Sequence, residues 1–273
     1  MKRHCSALAP LVSASCLLLA GRAHAATGKD WGRPTDISLD GWRSDQLFNI
    51  TTVSVTILFL IMCGIILWAL AKHRAGSHAH YEHGIGRSHL LFTAVVSSII
   101  FFGVDGTLLV NAFEDIHAAY WNYPTAAENP LTVEVMAQQW AWAIRYPGPD
   151  GKFNTADDIV TLNDLHVPVN KPVYIKLRSK DVIHSFYLPN FRVKRDAMPG
   201  TTTDMWFQAT ETGAAEIGCA QHCGVNHYKM RGVLTIQSQA DYDTWYKAAV
   251  ADARLRNDMS DKESQWGWDW ESK

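Results

Sequence analysis

Two long apolar runs constrain this chain more than any other feature. Ile50 to Ala71 is almost unbroken in apolar residues, and Leu90 to Phe113 is a second run of similar length. Each reaches the ~20 residues a helix needs to cross a hydrocarbon core. Ile57 to Leu70 is apolar on every face, which a helix covered on one side does not need. The second run is less pure, because Ser97, Ser98 and Asp105 interrupt it. A carboxyl deep in a bilayer is costly unless it faces protein, water or a partner. Asp105 therefore either sits shallow or marks a contact with other membrane chains. The mean hydropathy of the chain is only −0.11, a value that suits a soluble protein. It averages two spans with a larger polar half and describes neither.

Residues 1–25 read as a secretory leader. Lys2 and Arg3 form its positive start, Ala7 to Ala20 its apolar run, and Ala23-His24-Ala25 an A-x-A cleavage pattern. An uncleaved anchor helix is the alternative, and the residues before Cys16 are a poor lead-in for a lipoprotein site. Cleavage takes three cations with it and moves the net charge from −2 to −5. Lys72-His73-Arg74 and Arg87 place the loop between the spans in the cytoplasm, and Glu114 and Asp115 open the segment beyond the second span. The expected localisation is thus the inner (plasma) membrane, multi-pass, with an external N-terminus and an external C-terminal half. The loop histidines His73, His78, His80, His83 and His89 lack regular ligand spacing and read as a solvated loop. The expected organisation is a leader over 1–25, an external segment over 26–46, a transmembrane hairpin over 47–113, a linker over 114–129, a β-domain over 130–250 and a polar tail over 251–273. A net charge of −2 lacks the basic excess of a nucleic-acid binder. Five cysteines in 273 residues are too few for a disulfide scaffold.

From Pro130 the pattern changes to short alternating runs. Leu131, Val133, Val135 and Ala137 alternate with polar residues, as do Val173, Ile175 and Leu177. Val182 to Leu188, Thr203 to Phe207, Gly213 to Ile217 and Val233 to Ile236 continue the set. Breakers such as Pro168-Val169-Asn170-Lys171-Pro172 and Pro199-Gly200 separate them. This predicts an antiparallel sandwich or Greek-key barrel, closed by a short helix over Asp241 to Val250. The segment Pro147 to Asp158 is rich in turn formers and acids, and it lacks the spacing of a calcium hand. It reads as a solvated loop.

The densest chemistry lies in Cys219-Ala220-Gln221-His222-Cys223-Gly224-Val225-Asn226-His227-Tyr228-Lys229-Met230. It offers two thiolates, an imidazole and a thioether, and His184 offers a second imidazole from a predicted strand. Soft sulfur ligands with imidazole select copper over harder ions. A Cys219–Cys223 disulfide, a structural zinc site and a pair of buried thiols remain open on spacing alone. The C-x-x-C-H signature is absent, so no covalent haem is expected.

Two spans followed by a sandwich and a C-x-x-x-C-x-x-x-H-x-x-M loop resemble subunit II of cytochrome c oxidase. Gln139-Trp140-Ala141-Trp142, Asp181-Val182-Ile183-His184-Ser185-Phe186 and Lys194-Arg195-Asp196-Ala197-Met198-Pro199-Gly200 resemble further family segments in the family's order. The resemblance implies an α+β membrane protein: a two-helix transmembrane hairpin followed by a cupredoxin-like Greek-key β-sandwich or barrel. It also implies a dinuclear copper centre, CuA. Cys219 and Cys223 would bridge both coppers, and His184 and Met230 would hold one. His227 and the main-chain carbonyl of Gln221 would hold the other. Trp140 matches the residue through which the family takes electrons from cytochrome c. Asp181, and more loosely Asp157 and Asp158, would steer that donor.

The implied role is the electron-accepting subunit of a cytochrome c oxidase, an oxidoreductase and translocase. Oxygen would be reduced at haem in subunit I, coupled to proton translocation. Implied partners are cytochrome c, subunits I and III, and membrane lipid. Gln221 stands where the family usually has Glu, which puts the family's shared magnesium in doubt, since a hard cation prefers anionic oxygen. His222 is unusual beside Cys223 and reads as exposed or as a neighbour of the ligands. His89 stands near the usual position of a channel-mouth Glu. The rival readings are the CuA subunit of a nitric oxide reductase and a membrane-tethered copper carrier. A quinol-oxidase subunit is disfavoured because the copper ligands are present.

Overall fold

The computed structural model describes residues 32–73, 76, 81 and 83–256. The leader, part of the loop between the spans and the tail beyond residue 256, with its three tryptophans, lie outside the described residues. The chain divides into two units, Met1–Thr35 and Asp36–Lys273, and every element below belongs to the second.

Two helices come first. α1 covers Gly41–Lys72 and α2 covers Arg87–Trp121, both long and apolar enough to cross a membrane. They exceed the expected spans at both ends, because polar residues at helix ends can continue the backbone ladder into water. α2 contains two wider π-turns, at Phe101–Asp105 and Ile116–Trp121. The helical rod therefore runs through Asp105 into the stretch expected to be linker. Apart from Gly41 at its start, no residue of α1 is buried, and none of α2 is. Phe59, Leu60, Leu67, Phe92 and Phe102 are all more than half exposed. An apolar surface of this size needs lipid or a partner to cover it.

The sandwich contains ten strands: β1 Leu131–Gln138, β2 Ala141–Tyr146, β3 Ile159–Leu162, β4 Asp164–Pro168, β5 Pro172–Ser179, β6 His184–Leu188, β7 Val193–Ala197, β8 Thr203–Gln208, β9 Gly213–Cys219 and β10 Arg231–Gln237. Helix α3, Gln239–Arg256, follows and is longer than expected. The strands form two five-stranded sheets, ordered β3-β2-β1-β5-β8 and β4-β10-β9-β6-β7. The fold is cupredoxin-like, as the resemblance implied. One correction is needed to the antiparallel expectation. β1 pairs parallel to β5 and β10 pairs parallel to β4, so each sheet is mixed. A parallel pair needs a long crossover, and β2 to β4 supply it between β1 and β5.

Alternation is clearest in β5, where Val173, Ile175 and Leu177 are fully buried and their neighbours are not. Each such side chain contributes about 1.5–3 kcal/mol on burial. β2 behaves differently. Trp142, Ala143, Ile144, Arg145 and Tyr146 are all buried, so both its faces are covered and no period of two marks it. Trp142 from the first sheet meets Phe186 of the second edge-on at 5.1 Å, tying the layers together beneath one end of the sandwich.

The helices are tied to the sandwich by charged groups. Arg192 donates from Nε and Nη2 to the two oxygens of Asp45 at 2.9 and 3.1 Å. Arg43 reaches Asp40 at 3.2 Å and Asp115 at 3.4 Å, which joins the ends of the two helices.

Candidate metal centre

Four pieces of chain converge at one end of the sandwich: the start of β6, the end of β9, the loop from Ala220 to Met230, and the β1–β2 turn. His184 is the first residue of β6 and is fully buried. Cys219 ends β9, and the backbone N–H of Ala220 donates to Ser185 at 3.0 Å, which holds the loop against β6. Gly224 has φ +122°, a conformation that L side chains rarely adopt. His227–Lys229 form one tight helical turn, closed by Met230 N–H donating to His227 at 3.1 Å. That turn sets the imidazole of His227 and the thioether of Met230 three residues apart, on the same side.

The donor atoms are close. The Sγ atoms of Cys219 and Cys223 are 3.7 Å apart, too far for a disulfide bond of about 2.05 Å. Both cysteines are free thiols. The ligand atoms of His184, Cys219 and Cys223 all lie within 4.8 Å of one another. Met230 Sδ is 3.2 Å from His184 Nδ1 and 3.7 Å from Cys223 Sγ. His227 Nδ1 is 3.5 Å from Cys223 Sγ, and the Gln221 carbonyl is 3.2 Å from Cys219 Sγ. Every residue read as a copper ligand therefore contributes an atom to one cluster of sulfur, imidazole and carbonyl donors. The set suits a soft or borderline ion, and copper fits it.

Electrostatics prepare the pair unequally. Burial disfavours a thiolate at Cys219, but hydrogen bonds from His184 and the backbone of Ser185 and Gln221 outweigh it and lower its pKa to about 6. Burial and the neighbouring Cys219 push Cys223 up to about 12. One thiolate forms readily, and the second needs a cation beside it. His184 loses some basicity by burial and gains more from Cys219 and Asp181, so its pKa is raised.

Asp181 is the main surprise. One carboxylate oxygen is 2.8 Å from His184 Nε2 and the other accepts the Gln139 backbone N–H at 2.7 Å. Gln139 in turn donates from Nε2 to the Cys223 carbonyl at 2.7 Å. Asp181 thus orients the imidazole and anchors the β1–β2 turn, a positioning role that the sequence did not reveal for it or for Gln139. The side chain is 30% exposed. Removing such a group from behind a ligating imidazole usually costs 10–100-fold in metal affinity. Asp181→Ala is accordingly expected to lose copper to a chelator at about 10–100-fold lower competitor concentration than the parent chain. Unchanged retention would refute the positioning role.

Trp140 is half-buried beside the ligand loop. A Cβ placed on Gly224 would sit 3.2 Å from its Cζ2, so glycine lets the indole close onto the residue after Cys223. Its indole N–H is buried and makes no hydrogen bond among the described residues, so packing alone holds the ring.

The acidic loop needs a correction. Asp158 is 4% exposed. Its carboxylate accepts the Asn154 N–H at 2.6 Å and approaches Arg145 Nε at 3.7 Å. It serves the interior and offers no charge for docking. Asp157 accepts from the Thr155 hydroxyl at 2.8 Å within the same loop. The Gln221 side chain is exposed and neutral, and His222 is exposed beside His227.

Fold and site together define a cupredoxin-like domain with a candidate metal centre, attached to two long apolar helices. Residues 131–237 match the family model described as the periplasmic domain of cytochrome C oxidase subunit II, and this segment is a domain of that family. The chain is 38% identical over 145 residues to the alternative cytochrome c oxidase subunit 2 of Bradyrhizobium diazoefficiens, covering 45% of this chain and 52% of that protein. It is 25% identical over 262 residues to cytochrome c oxidase subunit 2 of a Synechocystis strain, covering 79% of this chain and 75% of that one. A crystal structure of the periplasmic domain of cytochrome oxidase subunit II from Bradyrhizobium japonicum aligns at 33% identity and a TM-score of 0.40, over 45% of this chain and 94% of that one. The chain thus spans about half the length of the Bradyrhizobium diazoefficiens relative.

Proposed function

We propose that this chain is the electron-accepting subunit of a membrane-bound terminal oxidase, taking electrons from reduced cytochrome c outside the membrane for oxygen reduction at haem on a partner subunit. The observation that carries the reading is the cluster of two sulfurs 3.7 Å apart with His184 beside them, inside a domain of the subunit II family. His184, Cys219, Cys223, His227, Met230 and the Gln221 carbonyl would hold a dinuclear copper centre. Bound there, copper would supply a one-electron redox centre of low reorganisation.

The chain's own residues serve that role by holding still and excluding water. His184, Met230 and Cys223 are at most 3% exposed, so solvent does not reorganise around them. Asp181 fixes the imidazole, and Trp142 packs edge-on against it at 6.1 Å. Trp140 offers an aromatic contact between the outer surface and the ligand loop. The helices would span the membrane with the sandwich outside, and subunits I and III together with lipid would cover the apolar faces. Asp181 and Asp157 remain the candidate steering acids. A magnesium ion held by the Gln221 side chain is disfavoured, because an exposed neutral amide is a poor ligand for a hard cation.

The test is purification of the intact complex with metal analysis, EPR and turnover. Two coppers per chain, a mixed-valence signal and oxygen consumption with reduced cytochrome c are expected. Turnover with nitric oxide and not oxygen would overturn the oxidase reading. Trp140→Phe is expected to slow electron acceptance from cytochrome c by about tenfold or more while sparing copper content, since the ring is held by packing that phenylalanine largely keeps. Unchanged stopped-flow kinetics would remove Trp140 from the path.

A further inference from the structure

Exposure falls stepwise across the donors at this end of the sandwich. His222 is exposed, and His227 and Cys219 are half-buried. Cys223, Met230 and His184 follow at 3%, 1% and 0%. An ion arriving from solvent meets the exposed His222 first, with His227 of intermediate exposure beside it. Their ring centres are 5.6 Å apart with planes tilted by 45°. Two imidazoles that share an ion through bonds of about 2 Å have ring centres roughly 5–6 Å apart, and the separation of this pair falls in that range. His227 in turn presents Nδ1 3.5 Å from Cys223 Sγ. His222 stands outside the group of His184, Cys219 and Cys223 whose donor atoms lie within 4.8 Å of one another.

We propose that His222 is a capture ligand for copper: with His227 it binds an arriving ion at the mouth of the site and passes it inward to the sulfur donors. This inference rests on the copper reading above. The transfer is ligand exchange. A bond to the outer imidazole breaks as a bond to sulfur forms, the thiol proton leaves to water, and the ion keeps its oxidation state. The direction follows from chemistry, because thiolate and thioether hold copper better than imidazole alone. Once the ion is inside, His222 takes no part in the filled centre.

The test uses the full chain in detergent. The Cys219→Ser/Cys223→Ser double variant removes the inner sulfurs and should leave the outer pair as the place where Cu(II) binds. One Cu(II) with nitrogen hyperfine structure in its EPR spectrum is expected there, and adding His222→Gln should weaken its binding by about tenfold or more. In the chain that keeps both cysteines, His222→Gln should slow copper uptake severalfold, followed by metal analysis of rapidly desalted samples, with the final copper content unchanged. Equal Cu(II) affinity with and without His222 in the serine background overturns the proposal, and so does an unchanged uptake rate. A lower final content at an unchanged rate makes His222 a resident ligand and overturns it too. A parent chain that holds no copper at all defeats the functional reading instead.

Discussion

Cys219→Ser and Cys223→Ser are each expected to abolish the dinuclear copper spectrum, with bound copper falling well below the parent level by metal analysis. The two sulfurs face each other at 3.7 Å, a gap that an ion bonded to both at about 2.3 Å can bridge. A serine hydroxyl keeps the shape but is a hard, weakly acidic donor that does not replace thiolate toward copper. The effect should be as large at Cys223 as at Cys219, although the two thiols differ in acidity. Cys223 is 3% exposed and touches both His227 and Met230, so its loss disconnects those two donors from the rest. The sandwich should remain folded in either variant, because the exchange is nearly isosteric and removes none of the aromatic packing around Trp142. A mixed-valence dinuclear EPR signal surviving in either variant would sink the reading.

Arg145→Met is expected to destabilise the sandwich by about 3–5 kcal/mol at neutral pH, the usual cost of removing one partner from a buried ion pair. Arg145 stands opposite Glu134 in the β1–β2 register and donates to its Oε2 from Nη2 at 2.5 Å and from Nε at 3.0 Å. Asp158 approaches the same Nε at 3.7 Å, and all three side chains are 5% exposed or less. Burial pushes both carboxyls above their ordinary range, and Arg145 pulls them part of the way back. A carboxyl raised on folding contributes stability that is full below its ordinary pKa and is lost as pH rises through the raised value. Without Arg145 both carboxyls rise further. The deficit of the Met variant should therefore be largest near neutrality and shrink as pH falls toward about 4. Unfolding of the full chain followed by tryptophan fluorescence at several pH values checks this. A deficit that does not change with pH would mean the ion pairs are not its source. Adding Glu134→Gln to the Met variant should recover part of the loss.

Much of the fold was legible where one face of an element meets water. β5 alternates strictly, so Val173, Ile175 and Leu177 could be placed inside without any partner strand. β2 gave no such signal, because a strand covered on both faces loses its period and a buried Arg145 reads as polar. β3, β4 and β7 escaped for a related reason: they are four or five residues long, too short for alternation to stand out from loop composition. The parallel β1–β5 and β4–β10 pairs were also hidden, since strand direction depends on the path of the intervening chain.

The candidate site divides along the same line. Five of its donors fall within twelve residues, Cys219 to Met230, so their chemistry was visible in the order of the letters. His184 could be offered from its predicted strand, but it lies 35 positions before Cys219, and its role as a ligand came from the family resemblance. Asp157, Asp158 and Asp181 all read as surface acids. Only contacts across the fold distinguish them: Asp158 serves Arg145 inside, while Asp181 bridges His184 and Gln139.

By itself the sequence determined two apolar helices, a β-rich half with an inward-facing apolar set, and a soft donor set suited to copper. These follow from the composition and spacing of neighbouring residues, which act through local hydration, backbone preference and ligand chemistry. The tertiary structure decided which strands run parallel, which acids are buried, and that Asp181 and Gln139 connect the Trp140 turn to the ligand loop. The parallel pairs and the Gln139 bridge arise from contacts between residues roughly 40 to 85 positions apart, and the burial of Asp158 beside Arg145 depends on how its loop folds back onto β2.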